Sequence, residues 1–384
     1  MRRITHVRFP DPTSHCESNY WWVLLDEQDI VLSVNPMDYG SAMAGEHWGG
    51  DWLSPMGVDL QINGGLGLAF PDLTFGDLPT LFDLLDQLWI DGVEAICPTF
   101  VSCDLPSLHL GLDVLREARN NHSSNRCKLL GAHLEGPFLS KSRSGAHNPE
   151  FLCAPSLFAL NELIGGFEEE IDLFTLAPEL VGSLDVINRL KNLGVVVCLG
   201  HSSADEDECN SAFARGVQML THAFNAMPGL QHRSPGPVGE AIKNGEIAIG
   251  LIADGVHVHP NIVVLLQRLA ANQLVLVSDA IAPYGLKDGK YKWDKRWVIS
   301  ENGSCKLENG TLAGSSLSLL KACQNLAGWT GQPSSSIWSA TIAPRLVLDQ
   351  EQKFHDFLLG KSLNQLLRWT MNTEHDELSW QRAA

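Results

Sequence analysis

The segment KLLGAHLEGPF, residues 128–138, begins with apolar residues and ends on a histidine, a glutamate and a Gly-Pro pair. Side chains alternate between the two faces of a β-strand, so His133 and Glu135 point the same way. Burying a carboxylate without a partner is costly, and Glu135 therefore needs a cationic side chain, a proton or a metal ion beside it. The segment predicts a buried strand that ends on a functional carboxylate.

Seven other short segments repeat this pattern of Val, Ile and Leu followed by polar residues. Between them apolar residues recur at helical spacing, as in LPTLFDLLDQLWIDG and LDVINRLKNLG, and SLSLLKACQNLAGW supplies an eighth helix. A strand followed by a helix, eight times in succession, is typical of a (β/α)8 barrel, and nearly continuous apolar strands fit a covered parallel sheet. The eight predicted strands span residues 56–64, 93–100, 128–136, 171–179, 195–203, 217–225, 247–257 and 274–280.

The two ends of the chain do not follow this alternation. HCESNYWWVLLDEQDIVLSVNP indicates short β-strands with turns between them, and the segment after residue 284 also indicates β-structure, with ENG twice as a turn signal. We therefore predict an α/β protein whose residues 53–330 form a (β/α)8 TIM barrel. Residues 1–52 and part of 331–384 are predicted to form a small β-sandwich subdomain beside it.

Composition excludes several classes of protein. The formal net charge of −18 argues against nucleic acid or an anionic membrane as a partner, but it permits a small anionic substrate, which responds to local charge. Nine cysteines without a CxxC pair indicate neither a disulfide framework nor a cysteine zinc site. MRRITHVRFPDP lacks the apolar centre of a signal peptide, and no apolar run reaches about 18 residues. We expect a cytoplasmic protein.

Polar residues follow the predicted strands, at the end where the active site of a (β/α)8 barrel forms. Any one of them is explained as a loop residue or a helix cap, but so many histidines and acids at converging strand ends indicate a site. They are Gln61, Asn63, Thr99, His133, Glu135, Glu179, His201, His222, Asn225, Asp254, His257 and Asp279.

Three of these residues form a metal-binding set. Glu135, His201 and His222 follow strands 3, 5 and 6, and two imidazoles with a carboxylate and an open position suit catalytic zinc, although iron(II) or another divalent ion can use them too. Asp279 ends the eighth strand, where a carboxylate can take a proton from an attacking water and pass it to a leaving group.

Nine segments carry a resemblance to a known family, in order and across roughly residues 52–328. They are GVDLQINGG, PTF, HLEGPF, GAHNPEF, LGHSSAD, THAFNAM, DGVHVHP, SDA and GTLAGSSLSL. The chain resembles the N-acetylglucosamine-6-phosphate deacetylase family of the amidohydrolase superfamily, and HLEGPF with THAFNAM is the most specific part. The resemblance implies hydrolysis of N-acetyl-D-glucosamine 6-phosphate to D-glucosamine 6-phosphate and acetate, in amino-sugar metabolism.

The resemblance also implies roles for individual residues. It assigns the metal to Glu135, His201 and His222, and it makes Asp279 the general base and then the general acid. Arg233 is implied as a phosphate ligand, since its guanidinium can pair two oxygens. Family members complete the phosphate pocket with residues of a neighbouring subunit, so we expect a homodimer. The implied substrate contacts are Ala146, His147, Asn225, Ala226, Arg233, Asp254, Gly255, Val256, His257, Leu312, Ala313 and Gly314.

The first strand distinguishes variants of the superfamily. Many members carry His-x-His there and hold a second metal, whereas this chain has Gln61-Ile62-Asn63, and neutral amides are poor ligands for such ions. We therefore predict one divalent metal ion per subunit, zinc before iron(II), with Gln61 and Asn63 hydrogen-bonding around its ligands. His133 is predicted to orient Glu135 or the attacking water.

Two other interpretations remain open. The first is a different amidohydrolase that acts on another acetylated amino sugar or on a cyclic amide, since one barrel scaffold supports many chemistries. The second is a catalytically silent barrel used for binding. The presence of Glu135, His201, His222 and Asp279 argues against it. The C-terminal tail departs from the superfamily because it lacks a Gly-rich closing strand.

Overall fold

A computed structural model describes residues 1–12, 19–38, 43–294, 296–349, 354–372 and 377–384. Eight parallel strands, here called barrel strands 1 to 8, pair in chain order. The barrel closes where the Asn63 amide donates to the Ala280 carbonyl at 2.7 Å and the Asp279 amide donates to the Gln61 carbonyl at 2.9 Å. The predicted (β/α)8 barrel is confirmed. The barrel strands are Gly57–Ile62, Val93–Val101, Ala132–Glu135, Ile171–Leu176, Val196–Leu199, Val217–Leu220, Ala248–Leu251 and Leu274–Leu276.

One helix follows each barrel strand and covers the outside of the barrel. Several begin at a capping side chain. At Asp205, for example, the side chain accepts from the Glu208 amide at 2.9 Å, and the Glu208 carboxylate accepts from the Asp205 amide. The eight helices are Leu78–Ile90, Leu105–Asn120, Leu157–Ile164, Ser183–Asn192, Glu206–Arg215, Gly236–Asn244, Pro260–Ala270 and Leu319–Thr330. No helix in the described ranges has both the length and the apolar character needed to cross a bilayer.

The strands are buried on both faces, which explains their continuous apolar sequences. Side chains that point inward, such as Leu60, Leu173 and Val275, fill the barrel below the site. Side chains that point outward, such as Leu134 and Phe174, pack against the helices. Two further helices, Pro333–Thr341 and Ala343–Leu348, cover the opposite end of the barrel and contact strands 1 and 8.

The two ends of the chain form antiparallel sheets that share one apolar core, as predicted. Ile4, Val23 and Leu25 of the first sheet pack with Leu53 and Leu366 of the second. The first sheet comprises Arg2–Val7, Trp21–Leu25, Val31–Pro36 and Glu46–His47; the second comprises Trp52–Pro55, Leu366–Asn372 and Glu377–Arg382. The domain boundaries at residues 53 and 331 stay predictions.

A separate four-stranded antiparallel sheet, here called the inserted sheet, follows barrel strand 8. Its strands are Gly289–Trp293, Arg296–Glu301, Ser304–Leu307 and Leu312–Ser315. The Ser315 amide donates to the Asp279 carbonyl at 2.8 Å, and the Ile281 amide donates to the Ser315 carbonyl at 3.0 Å. The inserted sheet is therefore attached to the end of strand 8, beside the polar strand ends.

The remaining elements are short. Lys128–Leu129 pairs with strand 2 just before strand 3, and Gly64–Gly65 forms a small hairpin with Leu68–Ala69 after strand 1. The 3-10 helices are Phe70–Asp72, Phe75–Asp77, Lys141–Arg143, Pro149–Phe151, Glu168–Glu170, Ala271–Gln273, Phe354–Phe357 and Leu363–Gln365.

Candidate active site

Three donor atoms from three barrel strand ends converge at one point. The Glu135 Oε1 atom lies 3.2 Å from the His201 Nε2 atom and 2.9 Å from the His222 Nε2 atom. The two imidazole nitrogens lie 3.1 Å from each other. All three residues are buried. The structure thus brings together the metal-binding set that the sequence predicts.

The backbone bends sharply where these side chains leave their strands. His201, His222 and Asp279 have φ angles of +48°, +27° and +47°, in the left-handed region that non-glycine residues rarely adopt. Each such residue costs on the order of 1–3 kcal/mol and persists where the surrounding structure enforces it. All three strained residues follow barrel strands at the same end of the barrel.

The hydrogen bonds of His201 leave a lone pair at the convergence point. Its Nδ1 donates to the Arg143 carbonyl oxygen at 2.9 Å, so the Nε2 of the neutral ring carries no hydrogen. That lone pair faces both the Glu135 carboxylate and the His222 nitrogen. Burial opposes ionisation of Glu135, but the adjacent His147, His201 and His222 rings hold its pKa well below the usual value. The Glu135 carboxylate and the His201 lone pair are two acceptors that face each other and need a cation between them.

His147 lies beside this set, and its ring nitrogens are used differently from those of His201. Donor atoms of Glu135, His147 and His201 lie within 4.8 Å of one another, which makes His147 another metal-capable side chain. Its Nδ1 accepts from the Ser102 amide at 3.3 Å, so the hydrogen of the neutral ring is on Nε2, 3.6 Å from the Glu135 Oε2 atom. Burial lowers the pKa of His147 to about 4. The tautomer favours His222 over His147 as the third metal ligand.

The amides of strand 1 hold the two carboxylates of the site. The Gln61 Nε2 atom donates to Glu135 Oε1 at 3.1 Å, and the Asn63 Nδ2 atom donates to Asp279 Oδ1 at 2.7 Å. The amide oxygens of both residues are buried without a protein partner. Unpaired buried acceptors of this kind require water or another donor. The donors and the orphaned oxygens together fit a divalent ion with water nearby.

Asp279 faces the same cavity. Burial, together with the nearby charge of Glu135, raises the pKa of Asp279 to about 6, against the opposing effects of His222, His257 and the Asn63 hydrogen bond. The inserted sheet packs closely here: a Cβ atom at Gly314, where φ is +117°, would lie 2.6 Å from the Asp279 carbonyl oxygen. Only glycine allows that approach.

A second acid–imidazole pair approaches from strand 7. Asp254 accepts from the Val256 and His257 amides at 2.8 Å each, and its Oδ2 atom lies 2.7 Å from the His257 Nδ1 atom. Burial raises the pKa of Asp254, but the hydrogen bond and charge of the His257 ring, together with the hydrogen bonds from the His257 and Val256 amides, outweigh burial and the net shift is downward. Asp254 therefore fixes the His257 ring, whose Nε2 atom is left for the cavity. Gly255 and Val256 do not line the cavity.

These residues line a cavity of about 390 Å³. Most of the predicted substrate contacts lie in its wall, together with three residues that the sequence motifs did not indicate, Val101, Ile252 and Trp293. The lining residues are Asn63, Val101, Glu135, Gly145, Ala146, His147, His201, His222, Asn225, Ala226, Ile252, His257, Asp279, Trp293, Gly310, Thr311, Leu312, Ala313 and Gly314.

Arg233 and His133 also lie outside the cavity wall, as do Asp254, Gly255 and Val256. Arg233 is exposed on the loop of residues 229–234 and is not part of the cavity wall. The ring of His133 bonds the Leu60 carbonyl at 3.1 Å and the Thr175 hydroxyl at 2.7 Å, and burial lowers its pKa to about 4. The orientation of Glu135 or the water by His133 stays a prediction, since these two hydrogen bonds go to other residues. His133 lies one layer deeper in the barrel, because strand alternation fixes the face of a side chain and not its depth.

Comparison with known proteins identifies relatives over most of the chain. No protein-family model matches the chain. It is 35% identical over 301 residues to an N-acetylgalactosamine-6-phosphate deacetylase of Escherichia coli O157:H7, which covers 77% of this chain and 78% of the relative. It is 30% identical over 348 residues to an N-acetylglucosamine-6-phosphate deacetylase of Vibrio furnissii, which covers 87% and 86%.

Solved structures show the same fold over the whole chain. An N-acetylglucosamine-6-phosphate deacetylase from Thermotoga maritima has a TM-score of 0.78 and 26% identity, covering 99% of this chain and 98% of that one. The Mycobacterium smegmatis deacetylase in complex with N-acetyl-D-glucosamine-6-phosphate has a TM-score of 0.81 and 24% identity, covering 100% and 98%. The identities and coverage of the curated relatives confirm the resemblance seen in the motifs. The chain belongs to the N-acetylglucosamine-6-phosphate deacetylase family.

Proposed function

We propose that this protein hydrolyses the acetamide of N-acetyl-D-glucosamine 6-phosphate to D-glucosamine 6-phosphate and acetate, in amino-sugar metabolism. The observation that carries the proposal is the convergence of Glu135, His201 and His222 in one cavity with Asp279, in a chain of this family. We place the reaction in the cytoplasm, because a phosphorylated sugar does not cross a bilayer unaided.

Glu135, His201 and His222 would hold one divalent metal ion per subunit, with zinc the first choice and iron(II) or another divalent ion as alternatives. Such an ion supplies Lewis-acid chemistry, which polarises a carbonyl and acidifies water. Gln61 donates to Glu135 and stands where a second metal would need a histidine. The neutral amides of strand 1 therefore support a single ion.

Asp279 is placed to act as a general base, because it lines the same cavity as Glu135, His201 and His222. It takes a proton from the water that attacks the acetamide carbon, and it returns that proton to the nitrogen as the C–N bond breaks. The water oxygen leaves in acetate and the proton leaves in the amine, so one carboxylate serves both steps. Asn63 holds the Oδ1 atom, which leaves Oδ2 for the proton.

His257 is positioned to stabilise the negative charge that develops on the carbonyl oxygen. Its Nδ1 side is fixed by Asp254 at 2.7 Å, so the ring does not need to reorganise during the reaction. Asn225, Ala226 and Leu312 lie in the same cavity wall and are proposed contacts of the sugar.

The phosphate requires a cation from outside the cavity wall, because none of the lining residues in the described chain is Lys or Arg. Arg233 is the proposed ligand, supplied across a homodimer interface. An apolar surface beside its loop supports such an interface: His257 lines both the catalytic cavity and a groove of about 490 Å³ along this surface. The exposed apolar residues are Leu230, Val256, Ile262, Leu265 and Leu269.

Acetate release from N-acetylglucosamine 6-phosphate, measured on protein of known metal content, tests the proposal. We expect turnover with one equivalent of metal, loss of turnover on chelation, and a much lower kcat/KM for unphosphorylated N-acetylglucosamine. Absence of acetate release at full metal content would refute the function, and two equivalents would refute the single-metal site.

A second candidate substrate is the 4-epimer, N-acetylgalactosamine 6-phosphate. It is favoured by the 35% identity to the E. coli N-acetylgalactosamine-6-phosphate deacetylase. The kcat/KM values of the two epimers, measured side by side, decide between them. A cyclic amide in the same assay tests the more distant amidohydrolase alternative.

A further inference from the structure

One side of the catalytic cavity is apolar. Four residues, here called the apolar wall, form it: Val101, Ala146, Trp293 and Ala313. They belong to one cluster of apolar side chains that joins the inserted sheet to the barrel. A polar substrate has few groups to place against such a wall, and an acyl methyl is one of them.

Each part of the apolar wall adjoins a residue of the proposed chemistry. Val101 pairs with Glu135 across strands 2 and 3. Ala146 precedes His147 in the chain, and Ala313 precedes Gly314. The Cβ position of Gly314 lies only 3.6 Å from the Asp279 Oδ2 atom. The wall therefore borders the space between metal ligands and base, where the acetamide carbon must lie.

Trp293 is the large, fixed member of the wall. Its side chain is 3% exposed, and the Arg296 guanidinium carbon lies 5.0 Å from the centre of its ring. Arg296 in turn pairs with Asp294. The other wall residues are small, so the indole limits the depth of the space. Trp297, in the next strand of the same sheet, is 45% exposed and offers a natural control.

We propose that the apolar wall is the acyl pocket and that Trp293 is a specificity-determining residue. It restricts the acyl group that the enzyme removes to formyl and acetyl. This assignment rests on the proposed function. The acyl methyl is one bond from the reacting carbon, so it must lie against whatever surface borders the metal ligands and the base. A pocket closed by a fixed indole has room for this methyl and excludes longer chains.

The test compares N-formyl, N-acetyl, N-propionyl and N-butyryl glucosamine 6-phosphate in wild type, Trp293→Ala and Trp297→Ala. In wild type we expect kcat/KM to fall roughly 10- to 200-fold for each methylene beyond acetyl. Trp293→Ala is expected to raise the butyryl-to-acetyl ratio of kcat/KM by at least about tenfold, whereas Trp297→Ala leaves the ratio as in wild type.

Ala313→Val provides an independent variant in case Trp293→Ala does not fold. It fills the pocket, and we expect kcat/KM for the acetyl substrate to fall about tenfold relative to the formyl substrate. Unchanged acyl ratios in the active variants overturn the assignment. An equal rise in KM for every acyl derivative also overturns it, because it places the indole against the sugar. If the wild-type protein releases no acetate from either sugar epimer, the proposed function itself is refuted. That outcome is read from the wild-type protein without any variant.

Discussion

Two glutamates at opposite ends of the barrel, the partly buried Glu94 and the buried Glu135, show how the same side chain serves different purposes. Glu94, near the start of strand 2, lies 2.6 Å from the Lys361 ammonium and also pairs with Arg345. Glu135, at the end of strand 3, has imidazoles and the Gln61 amide as the side-chain partners of its carboxylate among the described residues. A carboxylate with permanent cations is already neutralised, whereas one among imidazole lone pairs calls for an ion from solution. The first joins the C-terminal segment to the barrel, and the second forms the site.

Exchanging either glutamate for glutamine is the strongest way to break this comparison. We expect Glu135→Gln to lose bound metal and turnover while the chain stays folded, because the ligand charge is removed. Glu94→Gln should keep kcat and metal but lose about 3 kcal/mol of unfolding free energy, since Arg345 and Lys361 are left unpaired. Metal analysis, acetate release and denaturant unfolding measure these effects. Metal retained by Glu135→Gln, or lost by Glu94→Gln, contradicts the comparison.

Asp279→Asn separates the base from the metal ligands. The amide cannot take a proton from water, so we expect kcat to fall about 10²- to 10⁴-fold with the metal content unchanged. Acetate release and metal analysis on the same preparation provide the measurement. Substantial remaining activity removes Asp279 from the proposed role.

Gln61→Leu tests the support of the ligand rather than the ligand itself. Loss of the hydrogen bond to Glu135 should weaken metal affinity about 10- to 100-fold, as changes around metal ligands commonly do. Competition with a chelator of known affinity measures it. Gln273→Leu is a matched control, since its amide donates only to the Ala241 and Ile247 carbonyls, away from the site. Equal metal affinity in both variants argues against the role of Gln61.

The pH dependence gives the smallest and sharpest test. Asp279 acts as base when unprotonated, so kcat/KM should rise with pH through its pKa and then level off. That pKa is about 6 without a cation, and a bound divalent ion moves it lower. Asn63→Leu removes a hydrogen bond that favours the carboxylate, so the acidic limb should move to higher pH. A limb unchanged in Asn63→Leu shows that another group controls it.

The sequence predicted what depends on the repeated pattern of strand and helix. Glu135, His201 and His222 were identified because each follows an apolar strand, and parallel strand ends meet at one edge of the barrel. The pairing of Glu94 was not predictable in this way, since its partners Arg345 and Lys361 are 251 and 267 residues away along the chain. Trp293 was missed for a related reason: it lies in a hairpin outside the motifs, and its place in the cavity depends on how the inserted sheet packs.

The hydrogen bonds between Ser315 and the backbone around Asp279 attach the inserted sheet to one strand end. Changes in the sheet can therefore be made separately from changes in the barrel strands. The proposed metal ligands lie at the ends of barrel strands, and altering them is expected to remove the reaction. Two residues of the proposed acyl pocket, Trp293 and Ala313, belong instead to the inserted sheet. Exchanging the inserted sheet between relatives offers a direct route to deacylases that prefer other acyl chain lengths and keep the same catalytic residues.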